Sequence, residues 1–271
     1  MIELKTPGEI DAMRAAGRVV AHALAAVRAK ATVGTSLTEL DEVARAVIAG
    51  AGATSSFLGY QPRFAPTPFP AVICASVNDV VLHGIPGPYR LRAGDLLSID
   101  CGASVDGWHG DAATSFVVGP PDPRDVHLID TAERALAAGI EAARPGVAMG
   151  ELSRAVAAVI RAEGYGIHAD FGGHGIGRAM HEDPAVPNDG TPGRGPRLRT
   201  GLVIAIEPAV IAGGGDAYVI DPTAGRSARP TAAAAPTSST PWRSPTTGPV
   251  SSRSPERWSA RGADSGSARR S

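Results

Sequence analysis

The sequence predicts a mixed helix–strand protein, α+β or α/β, whose first 221 residues form two related halves. Three observations predict it. Apolar residues make up 43% of the 271-residue chain, enough for a sizeable buried core. Helix start and stop signals alternate with short β-like runs, twice and in the same order. The second helix of each half also matches in sequence. Gly34, Glu39, Leu40, Val47 and Ile48 pair with Gly146, Glu151, Leu152, Val159 and Ile160, each 112 residues apart. Such a repeat sets a pseudo-twofold axis between the halves, and a site on that axis would be fed by strands from both.

The elements follow in order. Thr6 can cap the first helix, Pro7 suits its first turn and Glu9 completes a capping box. Ile10, Met13, Ala16, Val20 and Leu24 give it an apolar face running toward Arg28. A second helix starts at Ser36, with Glu39 three residues on and Leu40, Val43, Val47 and Ile48 on its buried side; Gly50 and Gly52 end it. Beyond a loop with Pro62, Pro66, Pro68 and Pro70 come strand-like runs at Ala71–Ser76, Asp95–Cys101 and His109–Val118. The second half opens with a helix from Asp122–Pro123 that stops before Pro145. Another helix runs from Met149 to Glu163, and short strands end in Leu202–Val210.

Composition excludes several classes. The 26 basic and 27 acidic residues balance, so there is no electrostatic case for a nucleic-acid or anionic-membrane partner. No apolar run reaches the ~20 residues needed to cross a bilayer, and Met1–Lys5 lacks a secretory pattern. Two cysteines, Cys74 and Cys101, exclude a disulfide framework and fit a cytoplasmic protein with reduced thiols. Residues 222–271 differ from the rest. They hold eight arginines against Glu256 and Asp264 and lack His, Lys, Ile, Leu and Phe. Such a segment buries too little apolar surface to offset its ordering entropy and reads as a disordered, inert tail.

Four residues stand out chemically. Asp100 ends the apolar run Leu96–Ile99, and Asp111 lies on the next strand, past a turn with Gly102, Asp106 and Gly107. A hairpin would bring the two together, and neighbouring carboxylates repel unless a proton or cation sits between them. On their own they read more simply as turn or edge aspartates. His174 sits in Gly172–Gly177, whose glycines allow close approach of backbone and ligand but whose spacing does not fit a dinucleotide loop. His181 is seven residues on, either across a turn from His174 or on the opposite face of a strand. Glu207 closes the apolar strand Val203–Ile206 and needs a partner if ionised. Three carboxylates and one imidazole suit Mn, Fe(II), Co or Zn, and bridging carboxylates suggest two divalent metal ions. His83, in Asn78–Pro86, is a further candidate; His22, His109, His127 and His168 read as structural or surface residues.

These segments resemble the type I methionine aminopeptidases of the pita-bread (creatinase/aminopeptidase) fold. The match is carried by Ser76–Pro86, Ile99–Gly102, Gly107–Phe116, Gly172–Pro184 and Ile206–Val210, in order over most of residues 1–221. His83–Gly84–Ile85–Pro86 separates the pattern from the related proline dipeptidases. The resemblance implies an α+β catalytic domain over 1–221 that removes N-terminal methionine. Asp100 would hold one metal, Asp111 would bridge two, and His174 and Glu207 would hold the second. Glu207 would also relay protons. His83 and His181 would contact the peptide and stabilise the tetrahedral intermediate, and Cys74 and Met180 would line the methionine pocket. The substrate implied is a peptide or nascent chain beginning with Met, met near the ribosome by a monomer.

The chain departs from that family at one point. The family supplies a further bridging Glu from a closing strand of the type Val-Glu-His-Thr, preceded by an Asp-Gly-Trp turn, and neither is present here. Yet codons can be written for Pro222–Arg226 that, moved by one base, read Asp-Gly-Trp-Thr. The same shift turns Pro236–Pro245 into His-Val-Glu-His-Thr-Val-Ala-Val-Thr. The expectation is that residues from about Pro222 onward translate a shifted frame. If the tail is native, the alternative is an impaired pita-bread protein that binds peptides or nascent chains. A proline-specific dipeptidase is the second alternative.

Overall fold

A computed structural model describes residues 1–62, 65, 67–168, 170–221, 225–228 and 242–243. The first half runs α1 (Pro7–Lys30), α2 (Leu37–Gly50), β1 (Thr54–Ser55), β2 (Ile73–Val77), β3 (Val80–Leu82), β4 (Leu96–Val105) and β5 (Trp108–Val117). The second runs α3 (Pro123–Ala142), α4 (Met149–Ala162), β6 (Gly166–Ile167), β7 (Gly173–Gly175), β8 (Glu182–Val186), β9 (Val203–Ile204) and β10 (Val210–Ile211). After these come β11 (Tyr218–Asp221), β12 (Gly225–Ala228) and β13 (Trp242–Arg243).

Local signals act where the sequence places them. Thr6 and Ser36 both form capping boxes, each accepting from the backbone of the Glu three residues on while that Glu accepts in return. The ends of α1–α4 fall within a few residues of their sequence signals. The run Leu202–Val210 is different: only Val203–Ile204 and Val210–Ile211 are regular strand, so Glu207 sits in an irregular stretch rather than at a strand end. Pro208 has no N–H to continue a ladder. Gly102, expected in the hairpin turn, lies inside β4.

The sheets are antiparallel. β4 pairs with β5 along its whole length and with β1 and β2 on its other edge. In the second half, β7 lies between β8 and β9, and β13 extends that sheet beyond β9. β6 pairs with β10, and β12 lies between β11 and β3. One apolar core packs α1 and α2 on β2, β4 and β5, through Val20, Leu40, Ile73, Leu97 and Ile99. Another packs α3 and α4 through Leu128, Leu152, Ile160, Ile204 and Ile206.

The sequence repeat is also a repeat of hydrogen bonds. The Gly34 N–H donates to the Leu91 carbonyl at 2.8 Å, and the Gly146 N–H donates to that of Leu198 at 2.8 Å. Leu37 donates to Tyr89, and Met149, 112 residues on, donates to Pro196. Gly34 and Gly146 share a left-handed φ of 90° and 88°. The copies differ at one cap: Ser36 caps α2, whereas the matching Ala148 gives α4 no side-chain cap although Glu151 stands in place. The tail expected to be disordered falls, for the most part, outside the described residues.

That difference yields a measurable expectation. Ala148→Ser should complete a capping box on α4 and raise stability by about 1 kcal/mol, read as a higher urea midpoint at unchanged slope. An unchanged or lower midpoint would show that the repeat does not extend to the caps.

Candidate metal centre

The site is assembled by two hairpins, one from each half. The β4–β5 turn is Asp106–Gly107, both left-handed at φ 51° and 75°, as a two-residue hairpin requires. Its register sets Asp100 opposite Ala113 and Asp111 opposite Gly102. The aspartates are therefore diagonal neighbours on one face of the sheet rather than a direct pair. Gly102 lies between them and has to be glycine: a Cβ there would stand 2.7 Å from Phe57 Cε1 and 3.1 Å from Met180 Cε.

In the second half, β7 and β8 pair across a bulge at His174/Gly175, and the chain between them returns His181 over His174, ring centroids 4.1 Å apart. The Ala205 N–H donates to the His174 carbonyl at 2.7 Å, tying the segment that carries Glu207 to β7. His174 Nδ1 donates to the Gly175 carbonyl at 2.8 Å, which turns Nε2 toward the carboxylates. Nε2 lies 3.4 Å from Asp111 Oδ2 and 3.1 Å from Glu207 Oε1. Donor atoms of Asp111, His174 and Glu207 all fall within 4.8 Å of one another. Asp100 adjoins them through Asp111.

The electrostatics are strained in one direction. Burial, then the charges of Asp111 and Glu207, push Asp100 well above the usual carboxylate range. Burial also raises Glu207, although His174 opposes the rise. For His174 burial disfavours charge, but its bonds to Asp111 and Glu207 win and push it up to about 11. The centre draws positive charge, and a cation would relieve all of these groups at once. Asp100 Oδ1 and Asp111 Oδ1 are buried with no hydrogen-bond donor. Buried acceptor oxygens and an aimed imidazole nitrogen form a donor set that fits a divalent ion.

Beside the centre is a small apolar cluster of Phe57, Cys74, Trp108, Ile176, Met180 and Val203. Cys74 lies across from Asp100 on β2, and burial followed by the nearby carboxylates raises its thiol well above normal, keeping it neutral. His181 is pushed down to about 3 by burial and by the charges of His174, His83 and His109. His83 adopts φ 58°, a left-handed backbone uncommon outside glycine, and sets its ring edge-on to Phe171 at 5.1 Å.

The structure thus gathers Asp100, Asp111, His174, Glu207, Cys74, Met180 and His181, with His83 on the rim. Sequence reasoning missed Tyr60, whose ring stacks on His181 at 5.0 Å, and Phe57 and Phe69, which meet edge to face at 6.4 Å. In a chain with only 4% aromatics, three flanking one Pro-rich loop was the available signal. His109, read as structural, bonds Ser56 Oγ through Nδ1 at 2.8 Å.

Known proteins resemble this chain in sequence and in fold. The profile of metallopeptidase family M24 matches residues 11–239. Methionine aminopeptidase 1 of Mycobacterium tuberculosis is 49% identical over 228 residues, covering 82% of this chain and 84% of that protein. Methionine aminopeptidase 1 of Bacillus subtilis is 41% identical, covering 79% and 84%. The crystal structure of methionine aminopeptidase from Thermotoga maritima superposes with a TM-score of 0.84 at 32% identity, covering 90% of this chain and 96% of that one. A prolidase from Pyrococcus furiosus, at 23% identity and a TM-score of 0.67, shares the fold.

Removal of divalent metal should lower the melting temperature, and the loss should grow with pH. Asp100 and Glu207 have raised values in the fold, so without a cation their stability contribution is complete below the ordinary carboxylate range. It is then lost as pH climbs upward from about 4. Scans with a chelator and with excess Mn²⁺ should diverge from pH 5 to pH 8. Parallel curves would argue against metal binding here.

Proposed function

This chain belongs to metallopeptidase family M24, and on that premise we propose that it is a methionine aminopeptidase acting on peptides and nascent chains. The observation that carries the reading is the convergence of Asp100, Asp111, His174 and Glu207 beside a small apolar cluster. Two divalent ions, of Co, Mn, Fe(II) or Zn, would be held by those four residues. Such ions polarise the scissile carbonyl and lower the pKa of water to near neutrality.

The residues supply the rest. The methionine side chain would be received at this cluster, where the neutral Cys74 thiol and the Met180 thioether would offer soft, polarisable surface to its sulfur. Glu207, whose carboxyl burial raises above its usual range, would take a proton from water and return it to the departing amine. His181, neutral at any working pH, donates a hydrogen bond to the carbonyl oxygen as charge develops there, and His83 assists from the rim. Tyr60 holds the His181 ring by stacking.

The protein would act in the cytoplasm, as a monomer, on chains close to the ribosome. Among the described residues no helix is long and apolar enough to cross a membrane. Residues from about Pro222 onward are proposed to translate a shifted frame. β13, alongside β9, consists of Trp242 and Arg243 and holds no acidic residue. Restoring the frame by one base in the coding DNA should therefore tighten Mn²⁺ binding.

The expected activity is release of methionine from Met-Ala-Ser. Asp111→Asn and His174→Ala should each lower kcat/KM by about a hundredfold or more at fixed metal concentration. Preference for an Xaa-Pro dipeptide, or retained peptide binding without any release, would overturn the reading.

A further inference from the structure

The segment before α1 crosses from the first half to the second and touches the loop that carries Met180 and His181. Lys5 is its anchor. The Lys5 N–H donates to the Gly201 carbonyl at 2.6 Å, and the Lys5 ammonium bonds Glu182 Oε2. This ion pair is buried, with 3% and 12% of the two side chains exposed. The other carboxylate oxygen of Glu182 accepts from the Ala179 N–H at 3.0 Å. One carboxylate therefore joins the strap to the backbone of the loop.

The rest of the loop has its own ties. The His109 N–H donates to the Gly177 carbonyl at 2.9 Å, and Arg178 Nη1 donates to the Asp106 carbonyl at 2.8 Å while its guanidinium lies 4.0 Å over the Trp108 ring. The arrangement is tight: a Cβ at Gly177 would lie 2.4 Å from Lys5 Cε and 2.6 Å from Glu182 Oε1. From Ala179 to Glu182 the Glu182 carboxylate is the clamp, and Met180 and His181 lie between its two points of attachment.

We propose that Lys5 is a positioning residue for the reaction. Acting through Glu182, it sets the backbone of Ala179–His181, and with it the Met180 side of the apolar cluster and the His181 ring. A fixed carboxylate is needed to clamp a loop, and a buried one is held in place only while its counter-charge is present. The Lys5 bonds run to Gly201 and Glu182 and not to Asp100, Asp111, His174 or Glu207, so its effect would reach the site through loop order. The kinetic part of this proposal rests on the methionine aminopeptidase reading, whereas the loop-order part does not.

The test uses the full-length chain with saturating Mn²⁺ and three variants: Lys5→Arg, Lys5→Met and the charge-neutral pair Lys5→Met/Glu182→Gln. The double variant leaves no charge unpaired and keeps an acceptor for Ala179. It should stay folded, bind Mn²⁺ within about threefold of the parent, and exchange the amides of residues 178–181 about tenfold faster. Its kcat on Met-Ala-Ser should fall about tenfold with KM little changed, while Lys5→Arg stays close to the parent. Unchanged exchange overturns the proposal even if the parent releases no methionine, a result that would sink only the functional reading. Global unfolding of the double variant, or a fall in Mn²⁺ affinity equal to the fall in kcat, would make Lys5 a structural residue and overturn it as well.

Discussion

Carboxylates facing one another away from water set the terms for this molecule. Asp100, Asp111 and Glu207 share one site, and burial alone makes their ionised forms costly. The imidazole of His174 is drawn into a positive role between two of them. A fold that keeps such a cluster has to hold it rigidly, because relaxation would let the side chains turn toward solvent. The two hairpins do this. β4–β5 fixes the aspartates through a continuous ten-residue ladder, and β7 fixes His174 while its close approach to Ala205 holds the stretch before Glu207.

The pseudo-twofold arrangement explains why the candidate ligands come from both halves. Each half is a helix pair laid on strands and closed by the same loop hydrogen bonds, down to the left-handed glycines 34 and 146. The halves bury separate apolar cores, and the site lies where they meet, with its own small apolar cluster between them. Within that cluster the chemistry divides cleanly. Soft apolar side chains form the surface proposed to receive the methionine, and the carboxylates and imidazoles lie beside it. His181 is kept neutral there and Tyr60 covers its ring. A neutral histidine suits the hydrogen-bond donor proposed for it, because it would add no charge beside bound metal.

Helix positions and caps, the repeat, and the types of the candidate ligating residues are set by local chemistry and were legible in the sequence. Thr6–Glu9 and Ser36–Glu39 are short-range hydrogen-bond patterns, and apolar periodicity needs only a few turns to show. The identities of Asp100, Asp111, His174 and Glu207 were readable as hard-to-borderline ligands. Even the α4 cap missing at Ala148 is a local fact.

Tertiary structure decided the rest, because it depends on residues far apart in the chain. Register made Asp100 and Asp111 diagonal instead of opposite, and it put Gly102 inside the strand where Phe57 and Met180 need its space. Convergence of two hairpins brought Glu207 within 3.1 Å of His174 although its own segment is not a regular strand. The stacking of Tyr60 on His181 joins residues on different loops, and the Lys5–Glu182 pair spans 177 positions. No periodicity or spacing records such contacts: local free energies choose the elements, and only packing chooses which of them meet.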